Sequence, residues 1–215
     1  MSLNTILVKG KIHLVTGLHI GAGNDEIHIG GIDNQVVKDR DGWPYIPGSS
    51  LKGKIRCLLE IAEGTFGTRR TKNEVKTLPS NSKEFPNSLI PKMFGDTEGE
   101  RTRLLFRDCF ISEESKKLLL EQSIPATESK SENSINRLTG KADNPRNTER
   151  AISGLDFDYE IVVRLFENDK EEEIKAELIK GMKMLENDAL GGSGSRGYGK
   201  IKFVDSTWNG EALGL

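Results

Sequence analysis

Two kinds of hydrophobic periodicity divide the chain into predicted strands and helices. Four segments have the alternating or short apolar pattern of strands, and they lie at residues 5–15, 104–111, 155–166 and 198–204. Apolar residues recur at helical spacing over residues 51–62 and 170–188, and a shorter helix is predicted over residues 115–122. The first helix follows Pro47-Gly48, so Ser49 or Ser50 is its predicted N-cap.

With the intervening segments set aside, the elements follow the order strand, helix, strand, strand, helix, strand. This order predicts an α+β, ferredoxin-like core of the βαββαβ type, which is also the arrangement of RRM-like domains. We predict a single domain over residues 1–215, with insertions at about residues 17–47, 64–102 and 123–154. The third insertion is polar and has few core residues, so we expect it to project from the domain and to order on a partner.

The distribution of charge along the chain says more about the possible function than the overall composition does. Of the 215 residues 35% are hydrophobic and 30% charged, and the net charge of -2 argues against a strongly basic nucleic-acid binder. Basic residues outnumber acidic ones from Lys38 to Lys76, and the reverse holds from Asp156 to Asp188, so one side could still bind a polyanion. The chain has two cysteines and no apolar run that could span a bilayer, so we expect a soluble cytoplasmic protein without a membrane partner.

The start of the first predicted helix offers groups that bind phosphate. The run Ser49-Ser50-Leu51-Lys52-Gly53-Lys54-Ile55-Arg56 supplies two hydroxyls and three cations beside free main-chain N–H groups. The alternative is an ordinary capped helix with solvated lysines, which this run alone favours. A glycine-rich loop elsewhere in the chain makes the two interpretations more nearly equal, because closely spaced glycines let a backbone approach a ligand.

That loop, residues 191–200, matches two nucleotide-binding patterns that its context excludes. Gly192, Gly194 and Gly197 fit G-x-G-x-x-G, and Gly199-Lys200 completes most of a phosphate-binding loop. Both patterns require a strand before the loop and a helix after it, whereas here a predicted helix precedes and a strand follows. A loop that exposes its backbone and carries Arg196 remains. It could grip a sugar-phosphate chain or simply connect two elements.

Three histidines and one aspartate are candidates for reaction chemistry. His13 lies on the polar face of a predicted strand and is expected to be solvated, while His19 and His28 flank the first glycine-rich segment and could act as bases. Asp33 and Asn34 are good formers of an Asx turn, which residue chemistry alone favours. The functional alternative is a lone acid that positions a hydrated divalent ion or a ribose hydroxyl beside a scissile phosphate, with nucleic acid supplying the further ligands.

Several motifs in order along the chain resemble the signature of the RAMP superfamily of CRISPR proteins. The motifs are Gly17-Leu18-His19-Ile20-Gly21, Gly31-Ile32-Asp33, the run from Ile46 to Arg56, and Gly191-Gly192-Ser193-Gly194-Ser195-Arg196-Gly197-Tyr198-Gly199. In addition, residues 132–142 with Asn144-Pro145-Arg146 and Glu149-Arg150 look like the projecting thumb of the repeated backbone subunit of type III-A (Csm) effector complexes.

The resemblance implies a subunit that binds crRNA, stacks with other copies of itself and with other Csm subunits, and cleaves complementary target RNA at regular intervals. Asp33 would be both the catalytic residue and the ligand of a divalent metal, Mg or Mn. The thumb would displace one nucleotide at each interval, which frees a ribose hydroxyl to align with its phosphate. The predicted RNA contacts are His19, Gly21, Ser49, Ser50, Lys52, Lys54, Arg56, Arg137 and Arg196.

Three other functions stay open at this point. A guide-processing ribonuclease of the same superfamily would use His19 or His28 as a base without a metal, and EDTA would not inhibit it. A non-catalytic RNA-binding scaffold would use Asp33 only as a turn residue. A ferredoxin-like regulatory domain would have no RNA ligand, and RNA would not copurify with it.

Overall fold

The computed structural model describes residues 3–23, 34–70 and 74–215, with backbone alone at residues 69 and 70. The strands are β1 (Asn4–Leu14), β2 (Tyr45–Ile46), β3 (Gly67–Arg70), β4 (Val75–Leu78), β5 (Leu104–Phe106), β6 (Cys109–Ile111), β7 (Thr127–Ile135), β8 (Ala142–Ala151), β9 (Asp156–Leu165), β10 (Ile201–Trp208) and β11 (Glu211–Ala212). The helices are α1 (Gly48–Glu63), α2 (Ile90–Phe94), α3 (Glu113–Gln122) and α4 (Glu171–Asn187), and a 3-10 turn spans Gly194–Arg196. None of the described helices is long and apolar enough to cross a membrane.

One antiparallel sheet unites the ends and the middle of the chain. Seven of the described strands form it in the order β11-β10-β1-β9-β6-β2, and β5 also pairs with β9. The strand β1 is held on both edges, with Val8 opposite Ile161 of β9 and Ile12 opposite Phe203 of β10. Two separate hairpins, β3–β4 and β7–β8, stand beside this sheet. The chain therefore has a mixed α/β fold with antiparallel sheets.

The apolar residues that recur periodically in the strands and helices pack together in one core. Alternate side chains of β1 are buried, as are the apolar faces of α1 and α4; these residues are Ile6, Val8, Ile12, Leu14, Leu51, Ile55, Leu59, Ile174, Leu178, Met182 and Leu185. The two helices pack closely at Gly181, where an added Cβ would lie 2.7 Å from Cγ2 of Ile55. The predicted amphipathic helices are thus present, and their hydrophobic faces meet in the core.

The predicted N-cap of α1 was wrong. The helix begins at Gly48, and its N-cap position is Pro47, which makes no capping hydrogen bond through its side chain. Asp108 takes that role from a distant part of the chain, because its Oδ1 accepts a hydrogen bond of 2.8 Å from the Gly48 N–H. An added Cβ at Gly48 would lie 2.5 Å from the Phe106 carbonyl oxygen. Glycine is therefore needed where α1 starts against this loop, and Ser49 and Ser50 lie in the first turn.

The strand predicted over residues 104–111 is divided in two. Both β5 and β6 pair with β9, but Phe106 lies opposite Ile161 whereas Phe110 lies opposite Asp158. Four steps along one strand therefore match three steps along the other, as in a β-bulge. The interruption directs Asp108 toward the start of α1, where it makes the bond described above.

The polar segment after α3 folds as the hairpin β7–β8. Its register runs from Thr127 opposite Ala151 to Ile135 opposite Ala142. The end near the sheet is buried around Glu149 and Ala151, whereas Leu138 in the connecting turn is 97% exposed. The hairpin thus has an anchored base and a solvent-exposed tip.

Candidate nucleic-acid interface

Two glycine-rich segments lie against each other. The N–H of Gly192 donates to the His19 carbonyl (2.9 Å), and the N–H of Gly199 donates to the Gly17 carbonyl (2.9 Å). Gly191 and Gly199 both have positive φ, and a Cβ at these positions would collide with the carbonyl oxygens of His19 and Leu190. These glycines thus allow a close approach between residues 17–19 and residues 191–199, hereafter the glycine loop.

The base of the β7–β8 hairpin joins the same site. Leu18 and Ala151 exchange two main-chain hydrogen bonds of 3.0 and 2.8 Å. The N–H of Glu149 donates to the carbonyl of Asn34 (3.0 Å), so strand β8 also holds the segment that begins at residue 34. Residues 17–19, the residues from 34 onward and the hairpin base are therefore one assembly.

Glu149 is the buried carboxylate at the centre of this assembly, with 6% of its side chain exposed. It accepts hydrogen bonds from Nζ of Lys38 (2.6 Å), Oγ1 of Thr127 (2.7 Å) and the N–H of Val36 (3.0 Å). Burial alone would raise the pKa of Glu149, but these three hydrogen bonds outweigh burial and hold the pKa below its ordinary value of 4.5. An ionised carboxylate thus fastens residues 36–38 to both strands of the hairpin.

His19 is oriented by the same residue. Its Nδ1 lies 2.7 Å from the Glu149 carbonyl oxygen, which can only accept, so Nδ1 carries the proton. In the neutral imidazole, Nε2 is then left as an acceptor. Gly21, another predicted contact, is exposed and forms a bridge with Val36. His13 is half-buried and bonded to Asp156 at 2.7 Å, which corrects the expectation of a freely solvated side chain.

A small polar cavity lies where these segments meet. It has a volume of about 190 Å³ and is lined by His19, Asn34, Glu132, Arg146, Thr148, Ser193 and Arg196. Arg196 of the glycine loop crosses to the hairpin, with Nε 3.0 Å from Oε2 of Glu132, and also donates to the hydroxyl of Ser193. The cavity will be called the hairpin pocket.

The ring of Tyr198 in the glycine loop packs against two cationic side chains of the hairpin. The buried ring of Tyr198 is contacted by Nζ of Lys130 (4.4 Å from the ring centroid) and by the guanidinium of Arg150 (4.9 Å). Arg150 is in turn bonded to Glu128 (2.7 Å) and covers Gly17, where a Cβ would lie 2.6 Å from its Cδ. The glycine at position 17 thus makes room for an arginine of the hairpin.

The start of α1 lies beside the glycine loop. Lys54 lines one surface depression with Gly191, Gly194 and Ser195, and its Nζ is 3.1 Å from Oδ2 of Asp188. Ser49 is exposed, whereas Ser50 and Lys52 are partly exposed. Burial, and then the charge of Arg56, lower the pKa of Lys52, so two like charges are held on one helix face.

Arg56 faces the protein rather than solvent, with 15% of its side chain exposed. Its guanidinium contacts Oε1 of Glu60 (2.7 Å) and donates to the carbonyls of Gly95 (2.9 Å) and Ser80 (2.8 Å). These bonds attach the segment after β4 to α1. A contact between Arg56 and RNA stays a prediction.

Of the remaining predicted site residues, one lies in the hairpin turn and two lie outside the described residues. Arg137 lies in the exposed turn between β7 and β8. Asp33, the predicted catalytic residue and metal ligand, and His28 lie outside the described residues. Over residues 3–23, 34–70 and 74–215, no three His, Cys, Asp or Glu side chains are grouped so that they could hold a metal ion.

Sequence reasoning missed the parts that the hairpin contributes to the site. Glu132, Arg146 and Glu149 stand in the segment that resembles a thumb, but nothing in their spacing pointed to the pocket. The signal that could have found them is the strand register, since Glu132 is opposite Arg146. That register becomes readable only when residues 123–154 are recognised as a hairpin.

Comparison with known proteins agrees with this geometry. The sequence profile of the RAMP superfamily matches residues 11–202, and the chain belongs to that family. Within it, the chain is 41% identical over 206 residues to the CRISPR system Cms endoribonuclease Csm3 of Methanocaldococcus jannaschii, covering 93% of this chain and 79% of that protein. It is also 41% identical over 212 residues to the Csm3 endoribonuclease of Streptococcus thermophilus, covering 94% and 89%. A chain from the crystal structure of the Csm3-Csm4 subcomplex of the type III-A CRISPR-Cas interference complex superposes with a TM-score of 0.58 at 30% identity, covering 97% and 80%.

Proposed function

We propose that this chain is a crRNA-binding backbone subunit of a type III-A CRISPR interference complex and cleaves target RNA paired with the guide. The observation that carries the proposal is the meeting of the glycine loop, His19, residue 34 and the hairpin base around one polar pocket. The Csm3 relatives, which are named endoribonucleases and are about two-fifths identical over nearly the whole chain, support the assignment. The partners are then crRNA, target RNA, other copies of this chain and other Csm subunits, and we expect it to act in the cytoplasm.

We also infer that the core is ferredoxin-like and that residues 1–215 form a single domain. The order β10-β1-β9-β6 supports this, because β1, β6, β9 and β10 then correspond to the first, second, third and fourth strands of a βαββαβ unit. The helix α1 lies between the first two of these strands in sequence, and α4 lies between the last two. The elements that lie within the three insertions are β2 in the first, β3, β4 and α2 in the second, and β7–β8 in the third, which is the thumb.

The guide is held mainly through its backbone. The first turn of α1 presents the hydroxyls of Ser49 and Ser50, and the cations Lys52 and Lys54 lie on the next turn. The N–H groups of Gly48 and Ser50 already donate to Asp108 and to the Pro47 carbonyl, so these hydroxyls and cations, with the helix dipole, are the groups that attract phosphate oxygens. The glycine loop adds a second surface for the same strand, because Lys54 and Ser195 line one depression.

Cleavage is assigned to Asp33, and a divalent metal is part of this proposal. A Mg or Mn ion bound there would stabilise charge on the scissile phosphate. The described residues offer no three-carboxylate or histidine cluster, so Asp33 and RNA oxygens are the donors that we propose. The chain itself holds residue 34 on the hairpin base through the bond from Glu149 to Asn34. This bond fixes where the segment after Asp33 lies relative to RNA on the pocket.

One observation favours a second mechanism in the same pocket. His19 donates from Nδ1 to Glu149, which leaves Nε2 as a potential general base that needs no metal. Chelation separates the two mechanisms, since EDTA stops cleavage through Asp33 and a bound metal but does not stop cleavage by His19 alone.

The test uses the assembled complex, with guide RNA and an end-labelled complementary target. Asp33→Ala should abolish cleavage at regular intervals while guide binding and assembly stay at wild-type levels. Asp205→Asn, at an exposed position of β10, is the control and should cleave normally. Equal loss of guide binding and cleavage in Asp33→Ala would make Asp33 a structural turn residue. Cleavage unchanged in Asp33→Ala would remove Asp33 from catalysis, and no cleavage by the wild-type complex would leave only a scaffold.

A further inference from the structure

The hairpin pocket contains more positive than negative charge. Arg146 and Arg196 both line it, whereas Glu132 is its one carboxylate among the described residues. Arg196 is paired with Glu132 at 3.0 Å, and Lys130 also approaches Glu132 at 3.7 Å. Arg146 is directly opposite Glu132 in the register of the hairpin, yet its guanidinium has no hydrogen bond or ion pair with any residue in the described part of the chain.

The neutral groups of the pocket suit an anion with several oxygens. Thr148 and Ser193 have hydroxyls that can donate, and Asn34 has an amide. With a volume of about 190 Å³ the cavity is smaller than a site for a whole drug-sized ligand, and it could take one phosphate group with part of a ribose. A free guanidinium is the preferred partner of such a phosphate, because its N–H groups match two oxygens at once.

We infer that the hairpin pocket binds one phosphodiester of RNA through Arg146 and Arg196, and that Glu132 competes with this phosphate for Arg196. The inference rests on the proposed function, since it names a phosphate subsite in the same RNA interface. Glu132 holds Arg196 against the hairpin. A phosphate that enters the pocket meets Arg146 first, because that cation is already free, and it must displace the carboxylate to reach Arg196.

The chemistry does not distinguish a guide phosphate from a target phosphate, so the experiment has two arms. Affinity for guide RNA is measured with the reconstituted complex at several salt concentrations, and affinity for a complementary target is then measured with the guide already bound. Arg146→Ala should weaken one arm about tenfold. The slope of log affinity against log salt should fall by about 0.7 in that arm. Loss in the guide arm assigns the phosphate to the guide, and loss in the target arm alone assigns it to the target.

Two further variants distinguish a contact from a folding defect. Arg146→Lys keeps the charge and should restore most of the salt slope with only part of the affinity. Glu132→Gln removes the competing charge and should tighten the same arm several-fold, which a damaged hairpin could not do. Arg101→Ala is the matched control, because Arg101 is an exposed arginine in the connection between α2 and β5.

The failure of this inference is distinguishable from the failure of the proposed function. If Arg146→Ala and Glu132→Gln leave both affinities and both slopes at wild-type values while Lys52→Ala weakens guide binding, the phosphate subsite is wrong and the RNA interface stands. If the wild-type complex binds neither RNA, the proposed function itself is wrong.

Discussion

Glu149 and Lys38 form an ion pair of 2.6 Å across 111 positions of sequence. The same carboxylate accepts a hydrogen bond from Thr127 on the other strand of the hairpin. One buried side chain therefore joins the segment after residue 34 to both strands of the hairpin base. The geometry of the proposed RNA interface depends on this joint, although Glu149 does not line the hairpin pocket.

Replacing Glu149 with alanine should destabilise the chain strongly. The substitution leaves the ammonium of Lys38, the hydroxyl of Thr127 and the N–H of Val36 without their acceptor, and breaking a buried ion pair in this way costs about 3 kcal/mol. The free energy of unfolding by urea is the measurement. Glu121→Ala removes an exposed glutamate from α3 and should change this free energy by less than about 0.5 kcal/mol. Equal stability of the two variants would contradict the structural role of Glu149.

The contribution of Glu149 to stability should depend on pH in a defined direction. Because its pKa in the folded chain is lower than the ordinary 4.5, its ionised form stabilises the fold fully above pH 4.5. That stabilisation is lost as the pH falls through the lowered pKa. The difference in unfolding free energy between wild type and Glu149→Gln should be constant from neutral pH down to about 5 and shrink below it. A difference that grows on acidification would show that Glu149 is not held ionised.

The main effect of replacing Arg56 should be on the stability of the fold rather than on RNA binding. Arg56→Ala leaves Glu60, with 9% of its side chain exposed, without its ion pair and removes two bonds to main-chain carbonyls, so a loss of about 3 kcal/mol is expected. Lys52→Ala, one turn away on the same helix, removes a like charge and should not lower the free energy of unfolding. The melting temperatures of both variants test this. If Arg56→Ala keeps wild-type stability and only weakens RNA binding, Arg56 is an RNA contact instead.

The local pattern of apolar residues was sufficient to predict the core, but it could not predict the long-range contacts of Glu149, Arg56 and Gly48. The alternation in β1 and the helical spacing in α1 and α4 arise because each element buries one face. That pattern can be recognised from residues close together in sequence. The partners of Glu149 and Arg56 are set by tertiary contacts, and so is the cap that Asp108 provides to Gly48. The glycines could be expected to permit close approach, but the identity of the approaching group, such as Arg150 at Gly17, depends on the complete fold.

Freeing Lys54 should strengthen RNA binding. Lys54 is paired with Asp188 at 3.1 Å, and both side chains are partly exposed, so the pair is worth well under 1 kcal/mol. Asp188→Asn should therefore raise affinity for guide RNA only about two- to threefold. The new amide can still accept from the N–H of Ala189, which keeps the end of α4 intact.

A double-mutant cycle tests whether this gain passes through Lys54. In the Lys54→Ala background, Asp188→Asn should no longer alter guide affinity, and Lys54→Ala alone should lower the salt slope by about 0.7. A gain of the same size with and without Lys54 would mean that Asp188 acts only through general repulsion of RNA.

Two glycines in one loop provide the last test, because they share a conformation and differ in surroundings. Gly197 and Gly199 have φ of 85° and 70°, so alanine at either position carries the strain of the left-handed region, about 1 kcal/mol. At Gly197 the added Cβ would meet no atom within 4 Å, whereas at Gly199 it would collide with the carbonyl of Leu190. Gly199→Ala must therefore shift the backbone at residue 199 relative to Leu190, which disturbs the hydrogen bond from its N–H to the Gly17 carbonyl, and it should lower both the melting temperature and guide affinity far more than Gly197→Ala. Guide affinity and melting temperature that fall equally in both variants would mean that strain alone, and not the contact between the glycine loop and Gly17, controls this side of the interface.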